Sequence, residues 1–150
     1  MNGIDLKLKE LGIALPKPAA PVANYVPWTV SGNLVFIAGQ LPLHDGKLDA
    51  PGPADSDSAG AAAARLCGIN ILAQLREACG GDLMRVKRIV KLVGFVHAGA
   101  GVNIPAVVNG ASNLMVEVFG EAGKHARSSV GVAALPLNAP VEVEAIVEIA

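Results

Sequence analysis

The sequence predicts an α+β fold in which a mixed β-sheet carries two long helices on one face, with a short helix ahead of them. Three observations predict it. Strand-like and helix-like periods follow one another in the order ββαβαββ after the leading helix, a layout that suits a mixed sheet backed by helices. The chain has 150 residues, enough for one substantial core and too few for two. Hydrophobic residues make up 52% of it and charged residues 17%, so polar groups run short at the surface and the sheet face without helices calls for another subunit.

Each element follows from its residues. Ile4, Leu8 and Leu11 recur at helical spacing, Gly12 stops the helix, and Pro16, Pro18 and Pro21 forbid its continuation, so residues 1–20 form a helix and an extended connector within a single domain spanning 1–150. Two apolar runs from Tyr25 to Ala38 flank Ser31-Gly32-Asn33 and read as a β-hairpin. His44 to Asp57 gathers Gly46, Pro51, Gly52 and Pro53 with no periodicity and reads as a surface loop. Asp57-Ser58 offer caps for the longest helix, over 58–79, whose stripe is Ala62, Leu66, Ile69 and Ala73 and whose stop is Gly80-Gly81. Ile89 to Val96 reads as a strand. Asn103 caps a second helix with Val107, Ala111, Leu114 and Val118 on one stripe and Gly120 at its end. Ala126 to Ala134 and Val141 to Ile149 are the last two strands, joined through the prolines and Asn of Leu135 to Pro140.

Composition narrows the function. The formal net charge is -1 and no basic block could neutralise a run of phosphates, which disfavours nucleic acid. Cys67 and Cys79 match no zinc or redox spacing and read as buried free thiols, which implies a reducing compartment. The N-terminus lacks a basic start and an unbroken apolar run, and no segment reaches the length of a membrane span, so a cytoplasmic protein is expected. His44 and His97 have no metal-ligand spacing and read as surface residues. Phosphate-cradling glycine loops, nucleophile elbows and paired-cysteine motifs are absent from the sequence.

One strand gathers polar groups. Alternation along Ala126 to Ala134 sends His125, Arg127 and Ser129 to one face and Ser128, Val130 and Val132 to the other. A guanidinium matches a carboxylate through two parallel hydrogen bonds, so Arg127 is a natural anchor for a small acid, with an ordinary ion pair to a nearby Glu as the competing reading. Glu142, Glu144 and Glu148 share a face of the last strand, where they form either a solvated surface or, beside Arg127, a general base; spacing does not choose between Glu142 and Glu144. Tyr25, beside Trp28, reads as a pocket residue or as a core or interface aromatic. Asn109-Gly110 is a poor pair for mid-helix, and marks a close helix contact or a polar group lining a pocket.

Taken in order, Gly32-Asn33 with Gly39-Gln40-Leu41-Pro42, the helical run VNGAS around Asn109, Ala126-Arg127-Ser128-Ser129-Val130 followed by Leu135-Pro136, and Glu142-Val143-Glu144-Ala145 resemble the YjgF/Rid pattern, also labelled endoribonuclease L-PSP, from about Tyr25 to the C-terminus. The resemblance implies a chorismate-mutase-like fold, a homotrimer and a site in each cleft between subunits, where a 2-imino or enamine acid is hydrolysed to a 2-oxo acid and ammonia without metal or cofactor. By that resemblance Arg127 grips the substrate carboxylate, Glu142 positions the water, and Tyr25, Gly39, Asn109, Ser129 and His125 contact the substrate. Two further readings accompany it: a regulatory trimer that binds a 2-oxo or amino acid without turnover, and the endoribonuclease or translation-inhibitor activity of the older family label, which the near-neutral charge does not favour. Ser129 stands where archetypal members carry Cys, and His125 where Pro is common. Those departures, with the extra N-terminal helix and the longer 44–57 loop, imply a side branch in which His125 adds a titratable group to the pocket.

Overall fold

The computed structural model describes residues 2–18 and 23–150. In chain order its elements are α1 (Gly3–Glu10), β1 (Trp28–Ser31), β2 (Leu34–Gln40), a two-strand hairpin β3 (Leu43–His44) and β4 (Lys47–Leu48), α2 (Asp57–Ala78), β5 (Val86–Val96), α3 (Ile104–Phe119), β6 (Ala126–Gly131) and β7 (Val141–Ile149). The five main strands form one mixed sheet in the order β1-β2-β7-β5-β6. Only β5 and β6 pair in parallel, and α3 is the crossover that such a pair needs. Both long helices lie on the same face, α2 over β2 and β7 and α3 over β5 and β6.

Local chemistry sets the boundaries. In α1, Asn2 and Asp5 form a reciprocal capping box, and Gly12, at φ 70, follows the last turn. Pro16 and Pro18 lie in a connector that forms neither helix nor strand; Pro21 lies outside the described residues. Ser31 and Leu34 close the β1–β2 hairpin across Gly32-Asn33, with Gly32 at φ 63 in the first turn position, where a two-residue hairpin favours glycine. The cap of α2 is Ser56, whose Oγ accepts from the Ala59 N–H at 3.1 Å, and not the pair Asp57-Ser58; Asp57 instead stands in the first turn and accepts the Asn103 N–H at 2.8 Å. That bond ties the start of α2 to the cap of α3, where the Asn103 side chain accepts from Ala106 at 3.1 Å.

Three boundaries differ from expectation. The 44–57 stretch contains β4 and the last residue of β3, a hairpin braced by Asn70, which donates to the carbonyls of Leu41 and Leu43 at 2.9 and 3.1 Å. Strand β5 starts at Val86, ahead of Ile89, because two register shifts against β7 let Lys87, Arg88 and Lys91 into the strand without keeping strict alternation. Strand β6 stops at Gly131, short of Ala134, because its partner β5 ends at Val96 and one last bond, Val132 N–H to the Val96 carbonyl at 2.9 Å, exhausts the ladder.

The core lies between the helices and one sheet face. Val141, Val143, Ala145, Val147 and Ile149 are buried there with Ile71, Leu72, Leu75, Leu92, Val107, Leu114 and Met115. Cys67 and Cys79 are buried free thiols, and burial pushes the Cys67 thiol well up. The helices approach closely where side chains are smallest. A Cβ on Gly60 would fall 2.5 Å from a Val107 methyl, and one on Gly110 would collide with the Ala61 carbonyl oxygen. The opposite sheet face has no helix. It presents Phe36, Val93, Phe95, Val130 and Ile146 around Glu142, Glu144 and Glu148, with Phe36 41% and Val130 42% exposed.

Candidate functional site

The register sorts the polar residues onto two faces. Arg127 pairs with Leu92 and Leu92 with Ala145, both buried under the helices, so Arg127 lies on the helix face at the β6 edge. His125, Ser129 and Gly131 follow the same alternation, and a Cβ on Gly131 would come 2.9 Å from Ile104 of α3. Glu142 pairs with Phe95, and Phe95 with Val130, on the helix-free face. One chain therefore holds Arg127 and Glu142 on opposite faces, two strands apart.

Around Arg127 the structure builds a hydrogen-bonded half-site. The guanidinium Nη1 donates to Asn109 Oδ1 at 2.7 Å and to Ser112 Oγ at 3.2 Å. His125 lies beside them, its Nε2 2.9 Å from Ser112 Oγ and its Nδ1 2.6 Å from the Gly123 carbonyl oxygen. The two alternatives for Asn109-Gly110 are thus divided between neighbours: Gly110 makes the close helix contact, and Asn109 turns to β6. Ser112 was not singled out from the sequence, although it stands three residues after Asn109, the spacing that puts both on one helix face. Ser129 Oγ is buried with no hydrogen-bond partner in the structure, on the same face of β6.

Around Glu142 lies the other half. Gly39 of β2 faces it, and a Cβ there would come within 2.7 Å of the Glu142 carboxyl carbon, so glycine at this position clears the space the carboxylate occupies. Partial burial, and then the Glu144 carboxylate beside it, raise the proton affinity of Glu142 above the ordinary value of 4.5. A carboxylate whose proton affinity is raised in this way has the character of a general base. Tyr25 precedes β1, the sheet edge furthest from β6, and is 54% exposed.

The remaining candidates stand apart. His44 is exposed, but His97 is half-buried, not on the surface, with Nδ1 buried and lacking a hydrogen-bond partner in the structure. An apolar recess bounded by Leu48, Pro51, Pro53, Leu66 and Pro140 lies under the 43–55 loop, and neither Arg127 nor Glu142 lines it. Among the described residues no three His, Cys, Asp or Glu side chains cluster as metal ligands, and no helix is long and apolar enough to cross a membrane.

Known proteins with the same pattern fix the lineage. The family model described as "YjgF/chorismate_mutase-like, putative endoribonuclease" matches residues 5–149. This chain belongs to the YjgF family. Protein TCP17 of Trypanosoma cruzi is 46% identical over 154 residues, covering 97% of this chain and 94% of the relative. The protein Atu1372 of Agrobacterium tumefaciens, of unknown function, is 48% identical with a TM-score of 0.91 over 98% of this chain and 92% of its own. A protein described as a "putative endoribonuclease" from Shewanella oneidensis is 38% identical with a TM-score of 0.93, covering 99% of this chain and 100% of its own. The three alignments cover 97%, 98% and 99% of this chain.

Proposed function

We propose that the protein is an imine deaminase that acts as a homotrimer, with each site assembled from the Arg127 half of one subunit and the Glu142 half of the next. The observation that carries this reading is Arg127 itself. Its two side-chain hydrogen bonds both leave from Nη1, so the Nε–Nη2 edge remains for a carboxylate to meet with two parallel bonds. The apolar, helix-free sheet face, with Glu142 on it, supports burial of that face against a neighbouring copy, and a three-fold ring closes without leaving an unsatisfied surface.

The chemistry asks little of such a pocket. Arg127 holds the carboxylate of a 2-imino acid, and Glu142 takes a proton from water as the water oxygen bonds to C2. The C=N electron pair moves to nitrogen, which takes from Glu142 the proton drawn from water; the tetrahedral adduct then loses ammonia by C–N cleavage as the hydroxyl proton passes to the departing nitrogen and the O–H electron pair forms the C=O bond. The products are a 2-oxo acid and ammonia. Imines already react with water, so fixing the two together and supplying one base of raised pKa are sufficient. Gly39, Tyr25, Asn109, Ser129 and His125 line or support the pocket.

A coupled assay that generates a 2-imino acid in situ and follows ammonia tests the proposal. The wild type is expected to exceed the buffer rate and Arg127→Ala to fall back to it. Saturable binding of a 2-oxo acid with no ammonia release would instead make the same cleft a sensor. The RNA cleavage named for some relatives has little electrostatic support in a chain of net charge -1.

A further inference from the structure

The proposed deamination gives Ser112 no part in the chemistry and His125 no defined task, yet both are linked to Arg127 by one run of hydrogen bonds. A carbonyl oxygen only accepts, so the 2.6 Å contact between His125 Nδ1 and the Gly123 carbonyl places a hydrogen on Nδ1. In the neutral ring Nε2 is then a bare acceptor, and Ser112 Oγ, 2.9 Å away, donates to it. With its hydrogen committed, the Ser112 oxygen turns a lone pair to Arg127 Nη1 at 3.2 Å, while Asn109 Oδ1 takes the other Nη1 hydrogen at 2.7 Å. Both hydrogens of one nitrogen are thereby held, and because a guanidinium is planar, this orients the whole group.

We infer that Ser112 and His125 are positioning residues for Arg127: the fixed histidine tautomer orients the serine hydroxyl, and the serine orients the guanidinium plane so that its Nε–Nη2 edge receives the carboxylate. The inference rests on Arg127 being the carboxylate anchor proposed above. Neither residue touches the substrate in this role. Ser112 stands on α3 and the Gly123 carbonyl on the short turn that follows it, so the elements flanking the β6 edge converge on a single side chain.

Two measurements test it. In the intact wild-type protein, nitrogen NMR of the His125 ring is expected to show a protonated Nδ1 and a bare Nε2, with the Nε2 signal moving in Ser112→Ala; an Nε2–H tautomer overturns the inference, whatever the protein's activity. Titration with pyruvate, a small 2-oxo acid, is expected to give dissociation constants about tenfold weaker for Ser112→Ala and His125→Leu, the order of one hydrogen bond to a charged group. Ser112→Thr and His125→Gln, which keep a hydroxyl and an acceptor, recover most of the loss. Wild-type binding that survives unchanged in Ser112→Ala and His125→Leu overturns the positioning role and leaves the deaminase reading standing. Absence of pyruvate binding in the wild type counts against the carboxylate-anchor reading, and the NMR result then decides the hydrogen-bond chain alone.

Discussion

Arg127 and Glu142 do opposite things with charge. Arg127 keeps two bonds within its own subunit and one edge for a ligand, so Arg127→Lys, which leaves a point charge without the fork, is expected to lower kcat/KM about as severely as Arg127→Ala, by roughly 10²-fold or more. Steady-state kinetics with a 2-imino acid generator read this directly. Glu142 is held where ionisation is costly, by partial burial and then by Glu144. Below its ordinary value of 4.5 the carboxyl is protonated both folded and unfolded and costs nothing. As pH rises past that value the unfolded chain ionises first, so the native state loses stability relative to it. Glu142→Gln is therefore expected to melt higher than wild type at pH 7, to lose that advantage at acid pH, and to lower kcat by about 10²- to 10⁴-fold. Thermal melts across pH, paired with the ammonia assay, separate the two effects; a variant both less stable and fully active would contradict both assignments. At this scale residue type told much in advance: the alternation around Arg127 and the face shared by Glu142, Glu144 and Glu148 are both as the strand period predicts. Ser112 escaped notice because a serine within a helix has many bland explanations, and only the placement of β6 beside α3 gives it a partner.

At the scale of elements, α3 is the piece that carries the Arg127 half-site. It is seated by Gly110 against the Ala61 carbonyl and capped by Asn103. Gly110→Ala drives a Cβ into backbone that has no free rotamer to yield; a loss of about 1–3 kcal/mol is expected, with weaker ligand binding as α3 shifts Asn109 and Ser112 away from β6. Asn103→Ala removes only the cap, for about 1 kcal/mol, and leaves activity per folded molecule unchanged. Chemical denaturation of both variants beside a binding titration distinguishes them. The order and nature of the main elements were readable because apolar period and glycine stops agree along the chain, as in α2 with Gly80-Gly81 behind it. The edges were less so. Strand β5 begins Val86-Lys87-Arg88 and contains two register shifts, so its first residues carry no period to read. The β3–β4 hairpin has two residues per strand, too few for alternation to appear. Ser56 became the cap of α2 because Asp57 is taken up in joining α2 to Asn103.

At the scale of the whole molecule, the helix-free face is where the proposed ring would close. Phe36, Phe95, Val130 and Ile146 form an apolar surface among the acidic Glu142, Glu144 and Glu148 and the basic Arg88 and Lys91, which the proposed association would cover. Phe36→Asp is expected to yield smaller particles in sedimentation or native mass measurements, and to lose activity with its Arg127 and Glu142 halves chemically intact; a variant that sediments as wild type would count against this face as the interface. The separation of Arg127 from Glu142 was not legible in the sequence, because strand period tells which residues share a face but not which face a neighbouring strand turns toward the helices. Only the pairing of β6 with β5, and β5 with β7, shows that the two residues of one chain look in opposite directions.

Co-refolding two inactive variants tests the shared site most directly. Arg127→Ala supplies a good Glu142 half and Glu142→Gln a good Arg127 half, so in an equal mixture about a quarter of subunit junctions join two intact halves in a closed ring. Ammonia release is therefore expected to recover to about a quarter of the wild-type rate in the mixture, with each variant alone near the buffer rate. A mixture no more active than its separate components would contradict a site built from Arg127 of one subunit and Glu142 of the next.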